Sequence, residues 1–279
     1  MEENTAGLPA EHTTGSPAEH TAGGPVQDIL VTGGTGTLGR HVVDRLAEAG
    51  RPARVLSRTR GPYIGDLGTG AGLAAALDGV RTVVHLASDP RRRGADVEGA
   101  RNLIAAAPAG THLVFVSIVG VDRHPYSYYR AKYEVEGMIE RSGLPYTILR
   151  AAQFHDLVLY GARTLARLPV VPVPAGVAFQ PVAAEEVAAR LAGLALGEPA
   201  GRVPDMGGPE ILDAAELARI YLRSTGRRRP VLPVPVPGGV FAAYRRGVHL
   251  APAHRDGRIT FAQFLAAAQG RPGYAGVDR

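Results

Sequence analysis

The chain has no cysteine. Disulfides, thiolate nucleophiles and cysteine-bound metals are therefore excluded, and a cytoplasmic setting is expected. No apolar run reaches the roughly 20 residues of a membrane-spanning helix, so no membrane partner is expected. Lysine is nearly missing: of 31 lysines and arginines, only Lys132 is a lysine. The arginine clusters at 91–93 and 227–229 are short and carry no interleaved aromatics, which argues against a nucleic-acid partner. The formal charge of +5 is a mild excess. Residues 1–25 hold almost no large apolar side chains and repeat Pro-Ala-Glu-His-Thr at 9–13 and 17–21. Such a segment cannot bury enough surface to offset its ordering entropy. It lacks the regions of a signal peptide, its two histidines are too sparse for a metal site, and a disordered low-complexity tail is expected. Residues 26–279 then form one domain.

Glycine, by contrast, is abundant, with 36 residues. An apolar run from Ile29 to Val31 enters Thr32-Gly-Gly-Thr-Gly-Thr-Leu-Gly39, and a segment follows in which Val42, Val43 and Leu46 share a helical face. Strand, glycine turn and helix together make a pyrophosphate site. Gly33, Gly36 and Gly39 allow a tight turn and close backbone approach, and the amides at the helix start point at an anion. Thr35, Thr37 and Leu38 are expected among the contacts.

A second strand at 53–57 is followed by Arg58-Thr-Arg60, with no acid between Val55 and Arg60. An acid here takes the ribose 2′-hydroxyl of NAD, whereas an arginine accommodates the 2′-phosphate of NADP. NADP(H) is thus expected in preference to NAD(H), with Ser57 and Arg58 at the phosphate and Arg40 or Arg60 assisting. The alternation continues through a weak third strand at Tyr63-Ile64, a short helix at 72–77, a fourth strand at 82–86, a helix at 96–107 and a fifth strand at 112–117. Ligands of a doubly wound sheet lie outside the carboxyl ends of its strands, which places Asp66, Leu67, Leu86, Ala87 and Ser88 along the cofactor crevice and Ser117 where chemistry is expected.

In the next helix Tyr128 and Lys132 are four residues apart and share a face, with Tyr129 on the flank. Reducing a carbonyl by hydride puts negative charge on oxygen; a phenol can deliver a proton there while a serine hydroxyl orients the oxygen, and an ammonium favours the phenolate. Ser117, Tyr128 and Lys132 form the expected catalytic set, Lys132 also reaching the ribose. Tyr126 and Tyr129 compete with Tyr128 for the role of proton donor.

The glycine turn, Val84-His-Leu-Ala-Ser88, Ser117, Tyr128-x-x-x-Lys132 and Leu144-Pro-Tyr-Thr-Ile-Leu-Arg150 together resemble the atypical short-chain dehydrogenase/reductases, in their NmrA-like, NAD(P)H-binding branch. The resemblance spans residues 27 to about 270. It implies an α/β Rossmann fold, a doubly wound parallel sheet with strand order 3-2-1-4-5-6 or an extension of it, and a small carboxyl-terminal substrate lobe, mainly from 152–279. By the same resemblance the stretch after the sixth strand covers the nicotinamide, giving Ala151 and Phe154 as cofactor contacts and Gln153 and His155 as substrate contacts; His155 also reads as a capping or surface residue. The Ser117 to Tyr128 interval is slightly shorter than in the catalytic members. The expected activity is NADPH-dependent hydride transfer to a carbonyl, enone or quinone of a small organic substrate. The alternative is a non-catalytic NADP(H)-binding sensor. A homodimer is left open, and no metal is expected. Helical stretches at 156–168, 185–196, 213–224, 239–247 and 260–268, with Pro-rich extended pieces at 170–174 and 231–237, would lid the crevice.

Overall fold

The computed structural model describes residues 28–269; the expected tail at 1–25 lies outside them. The chain alternates strand and helix: Ile29–Thr32 (β1), Thr37–Glu48 (α1), Arg54–Leu56 (β2), Leu73–Leu77 (α2), Thr82–His85 (β3), Ala95–Ala106 (α3), His112–Ile118 (β4), Ser127–Glu140 (α4) and Tyr146–Ala151 (β5). It continues through His155–Leu165 (α5), Val171–Pro174 (β6), Ala178–Phe179 (β7), Ala184–Leu196 (α6), Gly201–Arg202 (β8), Leu212–Asp213 (β9), Ala214–Ser224 (α7), Val231–Val234 (β10), Gly239–Arg245 (α8) and Phe261–Gln269 (α9).

Six parallel strands form the central sheet in the order β2-β1-β3-β4-β5-β8. The expected third strand is reduced to one parallel bridge between Ser57 and Ile64. Two residues before Gly65, with Ile64 54% exposed, bury too little to extend a ladder. Counting that bridge, the order is the expected 3-2-1-4-5-6, lengthened by β8. The sheet is covered on both faces, so its strands are apolar throughout rather than alternating with polar residues. Ile29 and Val31 face α1 and α6 through Val42, Leu46, Val187 and Leu191. Leu30 faces the other layer, with Leu73, Leu103, Val135 and Ile139 from α2, α3 and α4. That is the two-residue period of a strand, used on both sides.

The remaining chain builds a third apolar cluster around Val171, Leu217, Tyr221, Phe261 and Leu265. Its two Pro-rich pieces, β6 and β10, pair with each other in parallel, a short ribbon whose edges tolerate the missing proline N–H groups. Two side chains, buried Gln180 and half-buried Glu186, tie this lobe to the core. Gln180 donates from Nε2 to the carbonyls of Gly208, Ala251 and His254 and accepts the Ala251 amide, all within 2.8–3.2 Å. Glu186, on α6, accepts the amides of Arg258 and Ile259. No helix among the described residues is long and apolar enough to cross a membrane.

Candidate functional site

The switch point of the sheet lies at β1, which pairs β2 on one side and β3 on the other, so that the chain winds away in both directions and opens a crevice at the carboxyl ends. The glycine turn sits there. Gly33 has φ +69°, and a Cβ on it would stand 2.7 Å from the Ala87 amide nitrogen; only glycine lets the turn lie against the Leu86-Ala87 backbone. A Cβ on Gly39 would collide with the Gly33 carbonyl oxygen, so α1 packs directly on the turn. The N-terminus of α1 has no side-chain cap and no acid in its first turn. Thr35, Gly36 and Thr37 are exposed beside it, while Leu38 is buried beneath. Unsatisfied first-turn amides at a glycine cradle fit a dinucleotide diphosphate.

Thr32 fixes the floor of this crevice. Its hydroxyl oxygen accepts the Leu86 and Ala87 amides at 3.2 Å and therefore gives its own proton to His85 Nδ1 at 2.8 Å. Burial, then the Lys132 ammonium, pushes His85 down to about 3, with Asp96 opposing, so the ring is neutral. At the end of β2, Ser57 Oγ accepts the amides of Thr59 and Arg60, shaping a turn that leaves Arg58 exposed. Asp66 accepts the Gly68 amide at 2.7 Å, and Asn102 donates to the Leu67 carbonyl, so this pair is held as a formed loop at the crevice wall.

The α4 residues meet an unforeseen partner. Lys132 is 3% exposed, and its Nζ lies 3.2 Å from Asp96 Oδ2 at the start of α3. Asp96 also accepts the Ser88 hydroxyl at 2.7 Å and the Asp89 amide at 2.8 Å. Burial works against its charge, but Lys132 and these two hydrogen bonds outweigh it and hold the carboxyl below its ordinary range. Tyr128 OH is hydrogen-bonded to Ser88 Oγ at 3.0 Å, and the Lys132 ammonium stands 5.9 Å from the Tyr128 ring centre and 5.0 Å from that of Phe115. One connected set, Tyr128–Ser88–Asp96–Lys132, thus occupies the carboxyl edge.

The structure links Tyr128 to Ser88 by a hydrogen bond and joins Lys132 to them through Asp96. Ser117 is buried on β4, its Oγ without a hydrogen-bond partner among the described residues. Asp96 lies in none of the quoted motifs, and Thr32 and His85, although inside two of them, were given no role. A signal existed for Asp96: a lone lysine on a half-apolar helix needs a buried counter-charge, and the acids opening α3 are the nearest helix-terminal ones. Tyr129 is 4% exposed, and its hydroxyl oxygen accepts Gln153 Nε2 at 3.3 Å; burial, helped by Tyr244, raises its pKa. Gln153 keeps Oε1 unpartnered. Ala151 is buried and Phe154 half-buried at the end of β5. His155 is fully buried, with Nε2 2.9 Å from the Ile259 carbonyl oxygen and its ring against Phe261 and Phe264. It stands as a packing residue of the lobe, neither exposed nor at the crevice wall, because the apolar face of α9 closes over it.

The family profile described as NAD(P)H-binding matches residues 33–170. A (4-alkanoyl-5-oxo-2,5-dihydrofuran-3-yl)methyl phosphate reductase of Streptomyces griseus is 34% identical over 216 residues, 71% of this chain and 74% of that protein. A photosystem II assembly factor, Ycf39, of Trieres chinensis is 24% identical over 85% of this chain and 81% of its own. Among solved structures, the NADPH-dependent quinone oxidoreductase QOR2 of Escherichia coli, complexed with NADPH, superposes with a TM-score of 0.71 at 19% identity, covering 86% of this chain and 99% of that one.

Proposed function

The chain belongs to the NAD(P)H-binding atypical short-chain dehydrogenase/reductases and is an NAD(P)H-dependent reductase; from that premise we propose that it uses NADPH to reduce a conjugated carbonyl compound, an enone or a quinone, in the cytoplasm. The observation that carries this reading is the Tyr128 hydroxyl, hydrogen-bonded to Ser88 beside the sole ammonium at the carboxyl edge. The bound cofactor supplies the hydride. The glycine turn and the α1 amides would hold its diphosphate and exposed Arg58 its 2′-phosphate, with Leu86, Ala87, Ala151 and Phe154 as the residues that would hold the nicotinamide. Tyr128 would give its proton to the oxygen that takes up the negative charge, the Lys132 ammonium would stabilise the phenolate left behind, and Ser88 would help only by turning its hydroxyl from Asp96 to that phenolate. Ser88 is exposed and returns a proton from solvent. Tyr129 is the poorer donor, since burial disfavours its ionised form. An enone suits the site because the relative from Streptomyces griseus is named for a substrate with a ring double bond next to an oxo and an alkanoyl group.

Pairing of Lys132 with Asp96 favours a second reading, a non-catalytic NADP(H)-binding regulator, because a paired ammonium is less available to the ribose. Both readings predict that NADPH binds more tightly than NADH, at least ~10-fold or about 1.4 kcal/mol, and that Arg58→Ala removes that gap. They part on Tyr128→Phe. A reductase loses ~100-fold or more in kcat on an enone or quinone with NADPH affinity kept; a regulator turns over neither before nor after the change. Absence of NADPH binding to the unmodified protein would sink both.

A further inference from the structure

In the lobe lies a partly open cavity of about 200 Å3, lined by α5, β6, β7 and α7. Its walls are Leu157, Val158, Leu165, Val173, Leu217 and smaller apolar neighbours, and Gln153 is the sole polar side chain that lines it. Gln153 is 8% exposed. Its Nε2 is held by Tyr129, the neighbour of Tyr128 in sequence. An empty apolar space forfeits dispersion contacts on every wall, and that cost disappears when an apolar chain is in place.

We propose that this cavity seats an unbranched acyl or alkyl chain of the substrate, of roughly six to eight carbons. The assignment rests on the reductase reading and adds the substrate class to it: a medium-chain acylated enone. Size sets the length, since an apolar cavity of about 150 Å3 holds one benzene molecule and this one is somewhat larger. Shape favours a chain over a fused ring, because the space runs along one face of α5, from Gln153 past Leu157 to Gly161 and Leu165. Leu157 is 61% exposed, so longer chains emerge there and add nothing further.

Gly161 offers a clean test. It lines the cavity, and a Cβ built on it meets nothing within 4 Å, so Gly161→Leu fills the space from within, while the helix gains by losing a glycine. The protein loaded with NADP+ is titrated calorimetrically with 3-alkanoylfuran-2(5H)-ones carrying acetyl, butanoyl, hexanoyl, octanoyl or decanoyl chains. The expected result is an affinity gain of about fourfold per methylene, the ~0.8 kcal/mol of one buried methylene, levelling off after octanoyl. In Gly161→Leu the slope is lost and acetyl binding is retained. Equal affinity across the series, or an unchanged slope in Gly161→Leu, overturns the proposal. NADPH oxidation is followed in parallel with the same compounds: a chain-length slope without any oxidation leaves the cavity assignment standing and removes the reductase reading.

Discussion

Asp96 and Lys132 each have a side chain about 5% exposed, at 6% and 4%, and neither charge is tolerable there alone. Removing one partner of a buried ion pair strands the other, at a cost of ~3–5 kcal/mol. Asp96→Asn is therefore expected to lower the unfolding free energy by that amount in urea. The double change Asp96→Asn with Lys132→Met recovers most of the stability, yet turnover stays lost, because the ammonium beside Tyr128 is gone. Equal stability of the single and double variants refutes the pairing as the cause. That Tyr128 and Lys132 share a helix face was legible, because helical spacing is a local signal. The hydrogen bond between Tyr128 and Ser88 was not, because the loop after β3 carries Ser88 to the tyrosine, and loop paths follow tertiary contacts that sequence spacing does not encode.

At the scale of elements, alternation of apolar runs and helical faces gave the succession of strands and helices, the family resemblance implied the sheet order, and the glycine turn located the crevice. Strand lengths were less legible: Tyr63-Ile64 looked like a strand and became a bridge, since pairing depends on what covers the residues. Burial of histidine inside elements was also hidden, because His85 on β3 and His249 near the end of α8 sit among ordinary apolar neighbours. Burial pushes both down, His85 to about 3 and His249 to about 4. The unfolded chain binds protons at these positions below about 6.5, where the native protein still does not. More protons bound in the unfolded state means that stability falls as pH drops through that window. Thermal midpoints recorded from neutral pH down to about 4 should decline, and His85→Gln should flatten the decline. A midpoint independent of pH over this range contradicts neutral burial of the two rings.

For the whole molecule, the division into a Rossmann core and a lobe is the sequence's least certain boundary, because after β5 the chain crosses between them repeatedly. α6 packs on α1 and β8 extends the sheet, while α5, α7 and α9 surround the lobe cluster. Nothing in Phe179-Gln-Pro-Val182 announces that Gln180 will tie loop segments up to 74 residues away, since its four partners are backbone atoms that any sequence provides. Gln180→Ala leaves the Gly208 carbonyl and the Ala251 amide without their partner, while the Ala251 and His254 carbonyls keep the amides of His254 and Gly207, and a loss of ~2 kcal/mol or more is expected. Hydrogen exchange at the Ala251 amide should accelerate with it; unchanged protection there would show that the lobe is held elsewhere.

The solitary lysine has one more consequence. A protease specific for lysyl peptide bonds finds a single cleavage point in the whole sequence, after Lys132, in the middle of α4 and under the crevice. Digestion can proceed only when that helix locally opens. The rate at which the full-length band gives way to two fragments is thus a clock for the opening of the active site alone, and NADPH should slow it in proportion to its occupancy.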